Sequence, residues 1–571
     1  MSSFVKLFVV LGLASAPWGC SRCNPDLPTI DASVSIDRWT SEPLATQSKT
    51  GKKLVFYDVE VDARGLLVAQ GRQPFVYADV VDRGFAWLVG LPNSETLANS
   101  KDGKKIYYFS SQFTVTREGV KPESWPHNQT GLSAMFVRSG IRYRDYSGDA
   151  HALTDAREFV DYLLLRGRTA ETDAWSLVPY ASSKPYEAYR GANDDEYCED
   201  KPGCGRGDGI GFLEPDKVGE FGHALILLYE ATGEGRYLDA ALKCADALAM
   251  HVKEGDASHS PWPFRVDAKT GTVVRDPYSS NVIFTIQLLD ELARIGRGSE
   301  SQARARSLAM SWLEKYPMKN KNWQGFFEDI PNQRGPSDNP NQYSPGETAR
   351  YFLRRNEPGD LERAKSLVRF IQDTFVVEVK EKDGGVTPAM LHGAEVVSEQ
   401  RADMAKMGSH TARYASLLAS LYAQTGDASL RERANRAFAW ATYCIDPHGV
   451  VKVGPDDLEG YWFSDGYGDY MIHFLDGMAA VPAWAPRDKP RVLRTTTVLR
   501  SMSSTAGRLV YNPFGPGTDE IVVPGREAKV RVDGQELKPR ERKAGGDGEW
   551  LRIDRSFPGE VIVEWAPKAL Q

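Results

Sequence analysis

The amino-acid sequence predicts a mainly α-helical protein, built as a closed ring of helical hairpins and completed by a β-rich C-terminal domain. Three observations support this fold class. Helix pairs joined by short glycine turns recur at a nearly constant spacing, the first helix of each pair is more apolar than the second, and helical periodicity ends near residue 491. Stacked hairpins produce such a period because each hairpin buries its apolar face only against its neighbours.

The first 23 residues, MSSFVKLFVVLGLASAPWGCSRC, resemble a secretory signal peptide. One lysine precedes an apolar run from Leu7 to Ala14, which is too short to cross a bilayer as a helix. Gly19-Cys20 resembles the bacterial lipoprotein pattern, in which a lipidated Cys20 would attach the protein to a membrane. We therefore expect the protein in a bacterial cell envelope, as a periplasmic or outer-membrane lipoprotein, or outside the cell.

Bulk composition narrows the class of partner. The chain has 571 residues, of which 41% are hydrophobic, and a formal net charge of −7, so a large core is available and no basic surface dominates. Nucleic acid is therefore not an expected partner. Aromatic residues make up 11% of the chain, and many lie outside the helical patterns, which suits flat apolar ligands such as sugar rings.

An N-terminal extension, residues 24–74, precedes the helical region. Residues 52–72 (KKLVFYDVEVDARGLLVAQGR) and 104–116 alternate polar and apolar side chains, as strands do. These segments predict a small cap or edge sheet.

The clearest hairpin is EFGHALILLYEATGEGRYLDAALKCADALAMHV. Its first half, Phe221 to Tyr229, is apolar almost all round, so this helix must be enclosed by protein. Its second half places Leu238 and Leu242 on one side and Asp239 opposite, which is typical of an outer helix.

The same plan recurs around turn glycines at Gly148, Gly233, Gly296, Gly359 and Gly426, the last four separated by 63, 63 and 67 residues. Six inner helices are predicted to begin near residues 128, 217, 278, 345, 409 and 466. Only five have an outer helix after them. We predict that residues 76–90 supply the sixth outer helix and close a ring of twelve within residues 75–485.

From residue 491 to 571 the helical pattern disappears. The segments TTTVLRSMSSTAGRLVYNPF, EIVVPG, AKVRVDG and EVIVEW are β-rich and separated by Gly, Pro and Asp turns. They predict a small C-terminal β-sandwich.

Alternating inner and outer helices with Thr-Gly turns resemble the six-hairpin (α/α)6 toroid of glycoside hydrolases, polysaccharide lyases and sugar epimerases. The resemblance covers about residues 75–482, and no catalytic motif of one family matches residue by residue. It implies a carbohydrate-active protein and a supporting role for the C-terminal β domain.

One end of the ring is predicted to be functional. Turns within a hairpin take a few residues, whereas connections from an outer helix to the next inner helix are long and rich in Trp, Tyr, Asp and Arg. These connections meet where the inner helices begin. Helix N-termini there favour anionic groups.

Candidate catalytic residues are carboxylates at that end, because glycoside cleavage needs one protonated and one ionised carboxyl group. They are Asp329, Asp465, Asp469, Asp216 and Asp276. In YWFSDGYGDYMIHF, Asp465, Asp469 and His473 recur every four residues and would form one stripe on a helix. Asp465 also suits an N-cap, and His473 suits a buried structural histidine.

Candidate substrate-binding residues are Trp262, Arg265, Tyr278, Trp323, Tyr343, His410, Trp462 and Tyr467. The tryptophans and Tyr467 would stack on sugar faces, and Arg265 could pair with a uronic carboxylate. In a lyase or epimerase, Tyr278, Tyr343 or His410 would act as the base. Ser344-x-x-Glu347 has the form of a capping box, so Glu347 is predicted to begin a helix rather than to react.

The cysteines indicate a local disulfide and two thiols. Cys198 and Cys204 lie in the polar loop EYCEDKPGCGRGDG and are predicted to pair, whereas Cys244 and Cys444 lie in helical patterns and are predicted to be buried thiols. Acidic residues of the same loop could hold calcium, but they lack the regular spacing of a dedicated site: Asp194, Asp195 and Asp208. We therefore expect a solvated loop and no resident metal or cofactor.

The leading functional hypothesis is an exported carbohydrate-active enzyme, most simply a glycoside hydrolase acting on a poly- or oligosaccharide. A polysaccharide lyase or uronyl epimerase is the second hypothesis. A non-catalytic envelope protein that binds glycan or protein is the third, and it predicts no two acids close enough to cooperate, within about 10 Å.

Overall fold

The computed structural model describes the following residues: 35–37, 54–55, 59–89, 112–116, 119–123, 128–182, 210–275, 277–325, 339–377, 392–401, 407–445, 449, 451, 454, 457–458, 462–463, 466–545 and 548–566.

Twelve α-helices lie within these residues: α1 (Val76–Val89), α2 (Gln129–Ser147), α3 (His151–Arg166), α4 (Pro215–Thr232), α5 (Gly235–His251), α6 (Ile283–Arg294), α7 (Glu300–Leu313), α8 (Tyr343–Arg355), α9 (Asp360–Phe375), α10 (Gly408–Thr425), α11 (Ala428–Ala441) and α12 (Gly466–Ala480). A π-helical turn at Glu314–Met318 extends α7, and 3₁₀ turns follow α11 and α12 at Thr442–Cys444 and Pro482–Trp484.

The even-numbered helices form a closed inner ring. Each of α2, α4, α6, α8, α10 and α12 packs against the next, and α12 returns to pack against α2. The outer helices α3, α5, α7, α9 and α11 each follow their inner partner, and α1 packs against α12. The predicted (α/α)6 toroid is therefore confirmed, with α1 as the sixth outer helix.

Burial along one hairpin explains why its two helices take different layers. Fifteen of the eighteen residues of α4 are buried, against eight of the seventeen residues of α5. An almost uniformly buried helix must have protein on every side, whereas a half-buried helix faces solvent. Gly233 ends α4 in a left-handed conformation, with φ of 76°, and its N–H donates to the carbonyl of Tyr229. Glycine adopts this conformation without the penalty of a Cβ atom.

The inner helices α4 and α6 approach each other closely at Gly219 of α4. A Cβ atom there would meet the hydroxyl of Thr285 and lie 3.0 Å from the Cα of Thr285, on the backbone of α6. We expect Gly219→Ala to lower the free energy of unfolding by about 1–3 kcal/mol, because α4 and α6 must separate. Gly235→Ala is the matched control, since a Cβ atom there meets nothing within 4 Å. Urea denaturation of both variants tests this; equal stabilities would contradict it.

Nineteen β-strands complete the described chain: β1 (Ser35–Asp37), β2 (Leu54–Val55), β3 (Val59–Val61), β4 (Gln112–Thr116), β5 (Gly119–Glu123), β6 (Phe212–Leu213), β7 (Arg265–Asp267), β8 (Val273–Arg275), β9 (Asp457–Leu458), β10 (Trp462–Phe463), β11 (Arg491–Thr495), β12 (Leu499–Thr505), β13 (Arg508–Pro513), β14 (Gly517–Val523), β15 (Lys529–Val532), β16 (Gln535–Leu537), β17 (Glu541–Gly545), β18 (Gly548–Arg555) and β19 (Val561–Glu564).

The C-terminal strands form the predicted β-sandwich. One antiparallel sheet has the order β11-β14-β18-β17 and the other has the order β12-β13-β19-β15-β16. Alternate residues of both sheets, among them Ile521, Leu551 and Val563, enclose a separate apolar core. Val498 and Trp550 instead join the core of the toroid, so the sandwich packs against the ring.

Two of the strands that precede α2, namely β2 and β4, pair with the segment before α12. β2 pairs with β9, and β4 lies between β5 and β10. Within the predicted strand 104–116, only residues 112–116 belong to the described part of the chain, and they form β4. These pairings connect β2 of the N-terminal extension, and also β4, to the chain segment that precedes the last inner helix.

Among the described residues, no helix combines the length and apolar character that a membrane crossing requires. Cys244 and Cys444 are buried free thiols, as predicted. Cys20, Cys198, Cys204 and the proposed calcium ligands Asp194, Asp195 and Asp208 lie outside the described residues.

Candidate active site

The inner helices begin at the end of the ring that carries the long connections. Only residues 148–150 separate α2 from α3 and only 426–427 separate α10 from α11, whereas 167–214 separate α3 from α4 and 376–407 separate α9 from α10. Charged side chains occupy the first two turns of several inner helices near this end. They fall into one cluster on α8, α10 and α12 and another on α4.

Arg413 of α10 connects the members of the first cluster. Its Nε atom lies 3.3 Å from Oε1 of Glu347 on α8, and its Nη2 atom donates to Oδ2 of Asp469 on α12. Oδ1 of Asp469 lies 3.1 Å from Nε2 of His473, one turn deeper on α12. One ligand atom from each of Glu347, Asp469 and His473 lies within 4.8 Å of the others. Residues from three inner helices therefore meet at one point.

Arg350 of α8 determines the tautomer of His473. Its Nη2 atom lies 2.6 Å from Nδ1 of His473. A guanidinium can only donate, so Nδ1 accepts, and the ring proton of a neutral imidazole resides on Nε2. His473 therefore donates that proton to Asp469.

Electrostatics keep both carboxylates of this cluster ionised. Burial opposes ionisation of Asp469, but Arg413 and His473 outweigh it and hold its pKa well below the usual value. Burial is likewise outweighed at Glu347, where Arg350 and Arg413 lower the pKa. Burial is the main cause that lowers the pKa of His473 to about 4, so its ring is neutral at pH 7.

Carboxylates and a histidine this close could ligate a metal ion. Here the guanidinium groups of Arg413 and Arg350 already contact all three side chains. A metal ion would have to displace these cations or bear their repulsion. The geometry favours arginine, rather than a metal ion, as the counter-charge.

The second cluster connects to the first through Tyr343 of α8. The hydroxyl of Tyr343 donates to Oε1 of Glu220 on α4 at 2.8 Å, and Nη2 of Arg138 on α2 donates to the same oxygen at 2.7 Å. The guanidinium carbon of Arg413 lies 4.7 Å from the centre of the Tyr343 ring. Contacts therefore run without interruption from α4 through α8 to α12.

Asp216 begins this second cluster, one turn before Glu220 on α4. It is 6% exposed, and Nδ2 of Asn281 donates to its Oδ2 at 3.0 Å. Burial raises the pKa of Asp216 to about 6; the nearby carboxylates Glu214 and Glu220 add to this rise, while Lys217 opposes it. Asp216 thus holds a proton at a pH at which Asp469 is fully ionised.

Several residues that were predicted to bind substrate are buried in the protein interior. Nε of Arg265 donates to Oε1 of Glu214 at 2.7 Å, and both side chains are buried. Trp262 is 3% exposed and its indole N–H donates to the carbonyl of Leu248, while Trp323 is 1% exposed. The buried ring of Tyr278 lies against Trp312. These contacts favour packing and internal ion pairing over the predicted stacking and uronate binding.

Tyr343 and His410 do lie among the clustered charges. Nδ1 of His410 is 2.9 Å from Nη1 of Arg413 and 2.8 Å from Oε1 of Gln342. Burial, followed by the charge of Arg413, holds the pKa of His410 well below its usual value. The candidates Asp276, Asp329 and Asp465 lie outside the described residues, as do the side chains of Trp462 and Tyr467.

The capping role predicted for Glu347 from the sequence is wrong. α8 begins at Tyr343, and its N-cap, Gln342, makes no side-chain capping bond. Ser344 is therefore already inside the helix, and the predicted capping box with Glu347 does not form. The signal in the sequence was the spacing of Tyr343, Glu347 and Arg350, which places them on one face of a buried helix.

No family model and no curated protein matches the sequence. Among solved structures, cellobiose 2-epimerase from Bacillus thermoamylovorans is 11% identical with a TM-score of 0.46, covering 69% of this chain and 98% of its own. A glycoside hydrolase family 76 mannosidase from Bacteroides thetaiotaomicron is 13% identical with a TM-score of 0.45, covering 72% and 98%.

A D-mannose isomerase is similar at the same level, with 12% identity, a TM-score of 0.47, and coverage of 72% of this chain and 96% of its own. The contacts among the inner helices define the chain as a six-hairpin (α/α)6 toroid.

Proposed function

We propose that this protein is an exported carbohydrate-active enzyme, most simply a glycoside hydrolase. The supporting observation is that one ring interior holds carboxyl groups whose pKa values are displaced in opposite directions, that of Asp216 upward and that of Asp469 downward. Glycoside cleavage requires such a pair. The signal-like pattern of residues 1–23 supports export.

In this mechanism Asp216 donates its proton to the oxygen of the leaving sugar. Asp469, as a carboxylate, either activates a water molecule or attacks the anomeric carbon itself. His473 and Arg413 each donate one hydrogen bond to Asp469, and a carboxylate has about four acceptor positions, so acceptor capacity remains for the reaction. Glu347 adds a second negative charge that favours the developing oxocarbenium ion.

A second reaction class is favoured by a separate observation. His410 and His473 are both buried, both held neutral, and both in contact with a guanidinium group. Each histidine could remove a proton next to a sugar carbonyl once the guanidinium has released its Nδ1 atom, and the released guanidinium could then stabilise the resulting enediolate. A sugar epimerase or isomerase, or a lyase acting next to a uronic carboxylate, would use these groups.

One assay separates these functions. The purified protein is incubated with a panel of neutral and uronic oligosaccharides, and the products are read as reducing ends, ultraviolet absorbance and sugar composition. A hydrolase releases reducing ends with no new ultraviolet absorbance, a lyase releases unsaturated sugars that absorb, and an epimerase or isomerase changes the sugar without new ends. An Asp216→Asn, Asp469→Asn double variant provides the blank. Binding without turnover on every glycan would support the non-catalytic hypothesis instead.

A further inference from the structure

We propose that Arg413 is a positioning residue that keeps Glu347 and Asp469 ionised together, and thereby decides which carboxyl group of the ring carries the proton. This inference deepens the proposed function and rests on it for its consequences in catalysis. In this arrangement one cation, Arg413, separates two parts of the ring. On α4 a carboxyl group carries a proton, whereas the carboxylates on α8 and α12 are ionised.

The geometry around Arg413 supports this role. The side chain is 1% exposed, and its donors are distributed over three helices. Nε faces Glu347, Nη2 faces Asp469, and Nη1 donates to Gln342 at 2.8 Å and to His410 at 2.9 Å. The face of Tyr343 covers the guanidinium at 4.7 Å. A planar group held at every edge and on one face has little freedom to leave.

The position of Arg413 matters because it balances the charges of two neighbouring carboxylates. The carboxylate atoms of Glu347 and Asp469 lie within 4.8 Å of each other, and two buried carboxylates at such a separation share a proton unless a cation compensates them. Among the residues that the structure describes, Arg413 is the cation that contacts both.

The other charged groups around the pair are already engaged. Arg350 of α8 approaches Glu347 at 3.4 Å but also donates to Asp476 of α12. On the α2 and α4 side, Arg138 pairs with Glu220. The neutral His473 and His410 also face the pair, Arg354 of α8 lies 4.0 Å from Asp476, and Glu399 lies 3.5 Å from Nε2 of His410. Loss of the charge on Arg413 would therefore remove the main compensation of Asp469 and leave Glu347 with Arg350.

The experiment compares Arg413→Met, which removes the charge, with Arg413→Lys, which keeps it but loses the planar fork. The readouts are the pH profile of kcat/KM on a glycan that is turned over in the panel and the free energy of unfolding as a function of pH. Arg433→Met is the control, because Arg433 lies on the outer helix α11 and pairs with Glu395 of the connection between α9 and α10.

In Arg413→Met we expect the acidic limb of the pH profile to move up by about 1–3 pH units, since that is the usual effect of an adjacent arginine on an aspartate. Arg413→Lys should keep this limb near the wild-type position while lowering kcat/KM. Arg433→Met should leave it in place.

Unfolding provides a readout that needs no substrate. A carboxylate with a lowered pKa adds stability above its unfolded pKa, near 4, and loses that contribution as the pH falls. The stability gap between wild type and Arg413→Met should therefore be large at pH 7 and narrow toward pH 4 and below. If no glycan were turned over, this narrowing would still support the role of Arg413, and the proposed function alone would fail.

Two results would overturn the inference. One is a stability gap that is the same at every pH, which would show a purely structural role. The other is an acidic limb that moves as far in Arg413→Lys as in Arg413→Met, which would show that the charge is not the decisive property. If Arg413→Met does not fold, the position of that limb in Arg413→Lys decides between these alternatives.

Discussion

Asp216→Asn should lower kcat by about 10²–10⁴-fold, the usual contribution of a positioned general acid. Asparagine has nearly the same shape and can still accept the hydrogen bond from Asn281, but it cannot transfer a proton to a leaving oxygen. The effect should fall on kcat more than on KM, because proton transfer stabilises the transition state rather than the bound substrate.

The pH dependence of wild-type activity is a second test of Asp216 as the general acid. A general acid works while it is protonated, so activity should fall as the pH rises through about 6, the value to which burial raises the pKa of Asp216. An acid with a raised folded pKa costs stability above that value, where burial opposes its charge. Asp216→Asn removes this cost, so at pH 7 the variant should unfold at the same or a higher urea concentration than the wild type.

Loss of activity together with unchanged or increased stability would identify Asp216 as a catalytic group rather than a structural one. Asp239→Asn is the control, since Asp239 is exposed on the outer helix α5. Steady-state kinetics from pH 4 to 9, with urea unfolding at the same pH values, provide the measurement. Full turnover by Asp216→Asn would remove it from the mechanism.

Asp469→Asn should lower activity by a comparable factor and also weaken the fold. The amide cannot act as a base or nucleophile, and its loss of charge leaves Arg413 without one of its two carboxylate partners. Breaking a buried ion pair costs about 3–5 kcal/mol. The loss of activity and the loss of stability both arise at the carboxylate that contacts Arg413. A control variant must therefore separate the effect on stability from the effect on catalysis.

Asp476→Asn is that control. Asp476 lies two turns deeper on the same helix and also pairs with an arginine, Arg350. Its loss should cost comparable stability with a much smaller effect on kcat. The stability deficit of Asp469→Asn should be greatest at neutral pH and shrink as the pH falls below about 4, because the low pKa of Asp469 adds stability only while it is ionised. If Asp469→Asn unfolded more easily but kept its turnover, Asp469 would be structural.

Local patterns were sufficient to predict the architecture. The all-round apolar character of Phe221–Tyr229 and the one-sided pattern after Gly233 assigned α4 and α5 to the inner and outer layers, as observed. The start of α6 was predicted near 278 but lies at Ile283. Residues before it bond to another connection instead, as in the bond from the N–H of Ser280 to the carbonyl of Gln324. Such a contact between distant segments leaves no local trace in the sequence.

The candidate site was predicted less completely. Asp216, Asp469 and His473 lie in the clustered interior, and the carboxylate and ring of the last two are in contact, as their four-residue spacing indicated. Glu347 was mistaken for a cap, and Arg413 was not singled out. Trp262 and Trp323 were predicted at the ligand surface because they lie in loops, whereas the loops carry them into the core.

The amino-acid sequence alone determined the alternation of layers, the closing role of α1, the long connections at one end and the sandwich that follows. Each of these depends on periodicity and turn chemistry, which are local properties. Only the tertiary structure decided which polar side chains of the buried helices meet, and therefore which carboxyl group keeps its proton. Protonation in a buried site depends on desolvation and on charges a few ångströms away. In this ring those charges come from helices more than one hundred residues apart in the chain, such as those that carry Arg350 and Asp476.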